Sequence, residues 1–129
     1  MAHVSTNRGG ASEAIAHAIF LMNGFEVATA IVPENYDLIV SGKNADGSTT
    51  RFTVQVKTLK IRNDRNGELV VRGAAKDGIP YSKDDVDYLF GVDLRHNVGY
   101  LIPNTEKSEH WSKDLETARN KWTELRLGE

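Results

Sequence analysis

The hydrophobic positions of the chain change their spacing after the first 24 residues. Residues 12–24 carry apolar side chains at helical spacing, and Gly24 is placed to end a helix there. Residues 25–32, 36–41 and 51–59 are instead rich in β-branched residues, which are typical of strands. The first half of the chain therefore predicts one helix followed by a meander of strands. The apolar stripe of the helix consists of Ala11, Ile15, Ala18, Ile19 and Met22.

A dense run of turn-forming residues, 42–48, separates the second strand from the third and predicts a hairpin. With a hairpin symmetric about Gly47, Asp37 lies opposite Lys57 and Ile39 lies opposite Gln55. This register gathers a carboxylate, an amide oxygen and an ammonium in one small area of the sheet. The alternation along strand 51–59 separates an apolar face from a polar one, namely Phe52, Val54 and Val56 from Thr53, Gln55 and Lys57.

The second half of the chain predicts shorter elements. Residues 63–67 form a turn that leads into a strand at 68–72, and residues 88–94 and 98–102 form an apolar strand pair. Before that pair, Ser82 and Asp85 resemble a capping box and predict a short helix. The order α-β-β-β-β-α-β-β-α therefore predicts a single α/β domain over residues 1–129. The chain ends in a predicted helix, 112–127, whose apolar stripe is Leu115, Ala118, Trp122 and Leu125.

Composition adds that one core holds this domain without covalent cross-links. The chain has 129 residues, of which 40% are hydrophobic and 26% charged, and these values are typical of a single globular domain. Because cysteine is absent, a disulfide scaffold, a Cys-ligated zinc site and a thiol nucleophile are excluded, and we expect a reducing, cytoplasmic location. The longest largely apolar stretch, 14–22, is far shorter than the ~20 residues of a membrane span, so we expect no membrane partner.

The charge of the chain is distributed unevenly. Residues 51–76 contain seven basic and two acidic residues, hence +5, whereas the whole chain carries a net charge of −2. The remainder is therefore about −7. A solvated strand surface and a phosphate-facing patch both produce such a segment, and its position in the sequence does not choose between them.

Glu13 lies at an unusual place on the first predicted helix. It shares one angular sector with Ala16, His17 and Phe20, and a carboxylate on a mostly apolar face is costly unless it is paired. The dipole at the N-terminal end of the helix is one source of stabilisation. A second is a hard divalent cation such as Mg²⁺, because the oxygen atoms of Glu13, Asp37 and Gln55 are the donors that such a cation takes. The second interpretation indicates metal-assisted hydrolysis of phosphodiester bonds.

The order of these residues resembles the PD-(D/E)XK nuclease superfamily. Glu13 stands on the first helix, Asp37 follows Pro33-Glu34-Asn35-Tyr36 at the head of a strand, and Gln55-Val56-Lys57 lies on the next strand. The closest likeness is to the branch that has Gln in place of the acidic residue and includes small homing endonucleases of group I introns. Residues 81–88 also resemble members of this branch, and the likeness covers about 9–103. Two departures are Tyr36 in place of the Pro of the motif and the neutral Gln55.

The resemblance implies a restriction-endonuclease-like core, in which a central mixed sheet is flanked by helices. It also implies a role for each residue of the motif. Asp37 is the principal Mg²⁺ ligand, Gln55 a weaker ligand, the backbone carbonyl of Val56 a further one, and Glu13 a ligand acting through water. Lys57 orients or helps to deprotonate the attacking water, and Mn²⁺ substitutes for Mg²⁺. Because Gln55 is neutral, the cation should be held more weakly than in the standard arrangement.

The function expected from these observations is that of a Mg²⁺-dependent DNA endonuclease of the homing or site-specific type. A Holliday-junction resolvase and a restriction-type nuclease share the same site and remain open. Two non-enzymatic alternatives also remain. One is a DNA-binding module whose metal site has decayed, with Gln55 as the mark of decay, and the other is an interaction domain in which Asp37 and Lys57 form a structural ion pair.

Double-stranded DNA is the expected partner, together with further copies of this chain. The basic residues expected to contact DNA are Lys60, Arg62, Arg65, Arg72 and Lys83. A domain of this size presents one active site, so a double-strand cut requires a homodimer or a higher homo-oligomer. The terminal helix, 112–127, and the apolar residues 98–102 are the candidates for the interface.

Overall fold

The structure, a computed structural model, describes residues 4–128, which form two helices and nine strands. A single 3-10 turn, Asn63–Arg65, joins two of the strands. In chain order the elements are α1 Val4–Met22, β1 Glu26–Ala28, β2 Leu38–Lys43, β3 Thr49–Thr58, β4 Lys60–Arg62, β5 Glu68–Arg72, β6 Tyr88–Asp93, β7 Val98–Pro103, β8 Glu109–Ser112, α2 Leu115–Lys121 and β9 Thr123–Arg126.

The strands form two sheets. Six of them make a mixed sheet in the order β1-β2-β3-β6-β7-β9, in which only β3 and β6 are parallel neighbours, and β4, β5 and β8 make a small antiparallel sheet. A parallel pair needs a long crossover, usually a helix, but here the crossover carries the β4–β5 hairpin. The predicted fold class, an α/β domain with a central mixed sheet flanked by helices, is confirmed.

The core is divided by the mixed sheet into two layers. On one face, α1 packs Ala16, Ile19 and Phe20 against the apolar side of β2, β3 and β6. On the other face, the small sheet and α2 cover residues such as Leu89 and Tyr100 of β6 and β7. Because β6 and β7 are covered on both faces, their side chains are almost all buried. Neither helix combines the length and the apolarity needed to cross a membrane in the described part of the chain.

Helix α1 begins at Val4, eight residues before the predicted start, and its buried stripe also differs from the prediction. Ser12, Ala16, Ile19 and Phe20 are buried, whereas Met22 at the end of the predicted stripe is exposed. The helix runs through Gly9 and Gly10, although each glycine costs about 1 kcal/mol relative to alanine in a helix interior. The helix ends as predicted, with Gly24 in a left-handed conformation at φ +86°.

The register of the β2–β3 hairpin differs from the prediction by two residues. Ile39 pairs with Thr53 and not with Gln55, because the loop is centred on Asp46 and not on Gly47. The Asp46 carboxylate accepts hydrogen bonds from the backbone and the hydroxyl of Ser48, which closes a five-residue loop between Lys43 and Thr49. A shift of two keeps every side chain on its predicted face, so the apolar and polar faces of β3 are as expected.

Strand β1 is shorter than the predicted strand 25–32, and β2 starts two residues later than the predicted strand 36–41. Beyond Ala28 the chain leaves the sheet, and Ile31 and Val32 are exposed in the loop before β2. β-Branched residues form a strand only where a neighbouring strand supplies hydrogen-bond partners. β2 supplies such partners to the three residues of β1 and to no residue beyond Ala28 in this stretch.

The short helix predicted at Ser82 is wrong. Ser82 does accept a hydrogen bond from the Asp84 N–H at 3.1 Å, and the Val86 N–H reaches the Ser82 carbonyl at 2.9 Å, but the chain makes only this one turn. The chain then extends, because the Asp87 N–H bonds to the Thr53 carbonyl at 3.1 Å and Tyr88 opens β6. Pairing with β3 therefore overrides the local helix signal.

The terminal helix predicted over 112–127 is only the seven-residue α2, between strands β8 and β9. Asp114 caps α2 by accepting the Thr117 N–H at 2.8 Å, and Trp122 is extended. Helix α2 ends early because the residues after it form β9, which pairs with the edge of β7. Residues 98–102 and the apolar side of α2 lie inside the domain, so the predicted interface is not available at these positions.

We predict that Asn104→Ala lowers the free energy of unfolding by about 2–4 kcal/mol, because it leaves buried backbone groups without partners. The buried Asn104 amide donates to the carbonyls of Tyr81 and Val86 at 3.0 and 2.9 Å and accepts the Glu106 N–H at 2.9 Å. Urea unfolding measures the change. Asn120→Ala, the same change at an exposed position of α2, is the control, and equal effects of both would contradict the prediction.

Candidate active site

Asp37 lies where the β2–β3 ladder stops. Leu38, the first residue of β2, pairs with Val54, and β3 continues as far as Thr58. The Asp37 N–H donates to the Val54 carbonyl at 2.8 Å, and the Asp37 Oδ2 atom accepts the Val56 N–H at 2.9 Å. The carboxylate therefore acts as the ladder partner of β3 at this point, which fixes it at the edge of the strand.

Glu13 approaches the Asp37 carboxylate from α1. The pKa of Glu13 is raised by partial burial and, in addition, by the charge and hydrogen bonding of the neighbouring Asp37. Because α1 starts at Val4, Glu13 lies in the third turn, where the helix dipole no longer stabilises a carboxylate. The dipole explanation of Glu13 is therefore wrong. Two adjacent carboxylates are unfavourable unless a proton or a cation lies between them.

Gln55 and Val56 supply neutral oxygen atoms on the same stretch of β3. The Gln55 side chain is half-buried on the face opposite Val54 and Val56. The N–H and the carbonyl of a strand residue point towards the same neighbour, so the Val56 carbonyl faces the side on which Asp37 lies. Together with the two carboxylates, these groups are oxygen donors of the kind that a hard cation takes.

The oxygen atoms of Glu13, Asp37, Gln55 and Val56 suit a cation site that contains two carboxylates and otherwise neutral ligands. No group of three or more His, Asp or Glu residues with metal-site geometry occurs among residues 4–128, and Glu13 and Asp37 are a pair only. Mg²⁺ is commonly bound through one or two carboxylates and completed by water and substrate phosphate. The residues present therefore suit Mg²⁺ in the presence of a phosphate substrate better than a closed structural site.

Lys57 lies on the same face of β3 as Gln55 and is half-buried. Its Nζ atom is 5.2 Å from the centre of the Tyr81 ring, a cation–π distance. Within the described residues, Lys57 forms no ion pair, and the cross-strand pair of Asp37 with Lys57 is absent. The interaction-domain alternative depended on that pair and therefore loses its basis, while the ammonium keeps its charge available.

The structure groups three of the predicted DNA-contacting residues around one cleft. Lys60, Arg62 and Arg72 line a cavity of about 810 Å³ that also contains Val56 and Lys57. Arg62 forms a two-point ion pair with Asp64, at 2.9 and 2.7 Å, and Arg72 donates to two backbone carbonyls at 2.9 and 2.6 Å. Lys60 is exposed. The grouping follows from β4 and β5 being paired neighbours.

The other two predicted DNA-contacting residues lie away from this cleft. Arg65 forms ion pairs with Glu68 and with Glu109, the latter at 3.2 Å. Lys83 is exposed and lines a separate cavity with Arg51 and Asp87. The +5 segment of the sequence is therefore not gathered in one cleft, because its Arg51 lines the second cavity and its Arg65 is paired with acids outside the first.

Two residues at the site, Arg8 and Arg95, carry no local signal in the sequence, and Tyr81 enters the sequence resemblance only as part of the segment 81–88, without a role of its own. Tyr81 reaches Lys57 because Asn104 holds its backbone, and Arg8 and Arg95 join the cleft from α1 and from the β6–β7 turn. Arg8 and Arg95 lie outside the basic segment, in stretches of ordinary composition. Only long-range packing brings them to the same place.

Comparison with known proteins gives a structural likeness. No family model and no curated protein matches the chain. Among solved structures, the chain is similar to a bacterial homing endonuclease, I-Ssp6803I, with a TM-score of 0.71 at 17% sequence identity over 93% of this chain and 89% of that chain. The likeness shows that the chain has the same fold, so a nuclease-like core is confirmed. Membership of the PD-(D/E)XK branch stays a prediction.

We predict that Glu13→Gln stabilises the metal-free protein at neutral pH by up to about 0.5 kcal/mol, a small value because Glu13 is exposed and Asp37 only half-buried, so solvent screens the pair. The raised pKa of Glu13 means that its contribution to stability is full below its unfolded-state pKa and is lost as the pH rises through the folded-state pKa. The advantage of the variant should therefore grow between about pH 4 and pH 7.

Thermal unfolding in EDTA across this pH range measures the effect. Glu26→Gln, the same change at an exposed position of β1, is the matched control. The prediction fails if Glu13→Gln is less stable than the unaltered protein at pH 7, or if its gain in stability at pH 4 equals its gain at pH 7. Either result would show that the two carboxylates do not repel each other.

Proposed function

We propose that this protein is a metal-dependent DNA endonuclease of the homing or site-specific type. The observation that carries the proposal is the Glu13–Asp37 carboxylate pair at the end of β3, with Gln55 and Lys57 on the same strand. The pair occurs in a chain that shares its fold with a bacterial homing endonuclease. Like carboxylates held together at a fixed point are unfavourable on their own, which supports a cation as their functional partner.

Four groups would hold the cation. Asp37 is the proposed principal ligand, the amide oxygen of Gln55 and the carbonyl of Val56 are neutral ligands, and Glu13 acts through water. When bound, Mg²⁺ or Mn²⁺ would polarise the scissile phosphate and favour ionisation of a bound water. The hydrogen bond from the Val56 N–H supports this assignment, because it fixes one oxygen of Asp37 while the carboxylate retains acceptor capacity for a cation.

Lys57 is proposed to orient the attacking water and to offset negative charge that develops on the phosphate. The residue is half-buried and its Nζ atom lies over the Tyr81 ring, so the ammonium is held in position. A compact ammonium next to a metal site suits both tasks. Arg62 and Arg72 have their guanidinium groups engaged within the protein, whereas the other two residues of the basic segment that line the cleft, Lys57 and Lys60, form no ion pair among the residues that the structure describes.

The proposed substrate is double-stranded DNA, and the proposed assembly is a homodimer or a higher homo-oligomer. One chain supplies one carboxylate pair, and a cut through both strands needs two. A Holliday-junction resolvase or a restriction-type nuclease would use the same groups. The neutral Gln55 favours one alternative, a DNA-binding module whose metal site has decayed, as does the lack of a third acidic residue beside Glu13 and Asp37 among residues 4–128.

We predict that Asp37→Asn abolishes metal-dependent DNA cleavage while the fold is kept, because an amide oxygen still accepts the Val56 N–H but carries no charge for the cation. Lys57→Ala should lower the cleavage rate about 100-fold or more without loss of metal binding. Supercoiled plasmid and a mixed-sequence DNA library, with Mg²⁺ or Mn²⁺ against EDTA, provide the assay.

Asp84→Asn, which removes the same charge at an exposed turn, should cleave as the unaltered protein does. Cleavage retained by purified Asp37→Asn would overturn the site. DNA binding without any cleavage, by the unaltered protein and by all variants, would favour the decayed module.

We predict that Gln55→Glu strengthens Mg²⁺ binding in the absence of DNA, because a third negative charge enters the site. The measurement is the rise in melting temperature on Mg²⁺ titration, which reports binding to the folded state. In EDTA the same variant should be less stable than the unaltered protein, since the added charge lies near two carboxylates. If Mg²⁺ stabilises both proteins equally, Gln55 does not face the cation.

A further inference from the structure

The cleft beside Lys57 is built from three separate parts of the chain. Arg8 lies in the first turns of α1, Lys60 opens β4, and Arg95 lies in the turn between β6 and β7. All three are exposed and line the same cavity, of about 810 Å³. None of the three belongs to an ion pair among the residues that the structure describes.

The acid on the cleft wall does not neutralise these cations. Asp93 is buried, its Oδ1 atom accepts the backbone N–H of Arg95 at 3.0 Å, and its Oδ2 atom is 2.7 Å from Nδ1 of His96. Its oxygens are thus used within the β6–β7 turn. Three cations without an acidic partner among the described residues line one concave space and favour the binding of an anion there. The whole chain carries a net charge of −2, so this excess of positive charge is local to the cleft.

Gly9 gives a second and independent observation. It lies inside α1, lines the cleft, and a Cβ atom at this position would meet no protein atom within 4 Å. Packing inside the protein therefore does not require glycine there, although glycine weakens a helix. A bare Cα on a cleft wall leaves room for the close approach of an external backbone.

The cleft is continuous with the candidate active site, because Val56 and Lys57 belong to both. We propose that the cleft binds the sugar–phosphate backbone of DNA next to the scissile phosphate. Arg8, Lys60 and Arg95 each contact a flanking phosphate, and Gly9 lets the backbone approach α1. This proposal rests on the proposed function, because it describes the path of the DNA strand as the strand leaves the candidate active site.

The first test uses Arg8→Gln and Arg95→Gln, both at exposed positions, with a mixed-sequence duplex in EDTA. Each variant should lower the slope of log affinity against log salt concentration by about 0.9, the value for one lost phosphate contact. Lys43→Gln removes the same charge at the far end of the β2–β3 hairpin, about 25 Å along β3 from Lys57, and should leave the slope unchanged.

The second test uses a matched pair of neighbours. Gly9→Ala and Gly10→Ala make the same change in the same helix, and both positions have open space for a Cβ, but only Gly9 lines the cleft. Both variants should raise the melting temperature by a few degrees, because alanine is the better helix former. Gly9→Ala alone should weaken duplex binding several-fold.

The outcomes separate this proposal from the proposed function. If the arginine variants keep the slope of the unaltered protein, or if the two alanine variants bind DNA equally, the cleft is not the path of the backbone even where cleavage is intact. If the slopes change as expected but no metal-dependent cleavage occurs, the cleft is a DNA site and the nuclease proposal fails. If the unaltered protein binds no duplex, the cleft proposal is overturned.

Discussion

Strand β3 is longer than the neighbour that pairs with it on one side, and the arrangement of the site depends on this mismatch. β2 begins at Leu38, opposite Val54, so its ladder does not extend to Val56. The N–H of Val56 therefore needs another acceptor, and the Asp37 carboxylate is that acceptor. On the other side β6 runs parallel to β3 and accompanies it to Thr58. The hydroxyl of Thr58 also bonds to the buried Ser12 of α1 at 2.7 Å, which fixes the helix against this end of the strand.

Two features of α1 weaken the fold and coincide with the proposed contacts to ligand. Partial burial and the neighbouring Asp37 carboxylate raise the pKa of Glu13, and Gly9 lies inside the helix without any packing reason. Elsewhere the same helix follows ordinary rules, with Ala16, Ile19 and Phe20 fully buried against the sheet. Natural proteins depart from locally optimal choices mainly at functional positions, and Gly9 and Glu13 lie about one turn apart in α1.

The basic residues of the chain behave differently according to their surroundings. Arg62, Arg65 and Arg72 are bound to carboxylates or carbonyls, and in this way they hold the β4–β5 hairpin and the residues that follow it. Lys57 packs its ammonium against an aromatic ring. A count of charges along the sequence therefore overstates the surface available for phosphate within the basic segment, and it omits two arginines outside the segment that line the cleft.

Spacing and the chemistry of single residues were enough to predict the alternation of β3 and the end of α1 before Gly24, and they proposed Glu13, Asp37, Gln55 and Lys57 as candidate site residues. Only the tertiary structure decided the hairpin register, the strand in place of the helix expected after Ser82, and the short α2. In the last two cases a neighbouring strand offered hydrogen bonds that outweighed local preference, whereas the register follows from the hydrogen bonds between Asp46 and Ser48 in the loop. The cleft was also decided at this level, since Arg8 and Arg95 are 87 positions apart in the chain and share a wall only through packing.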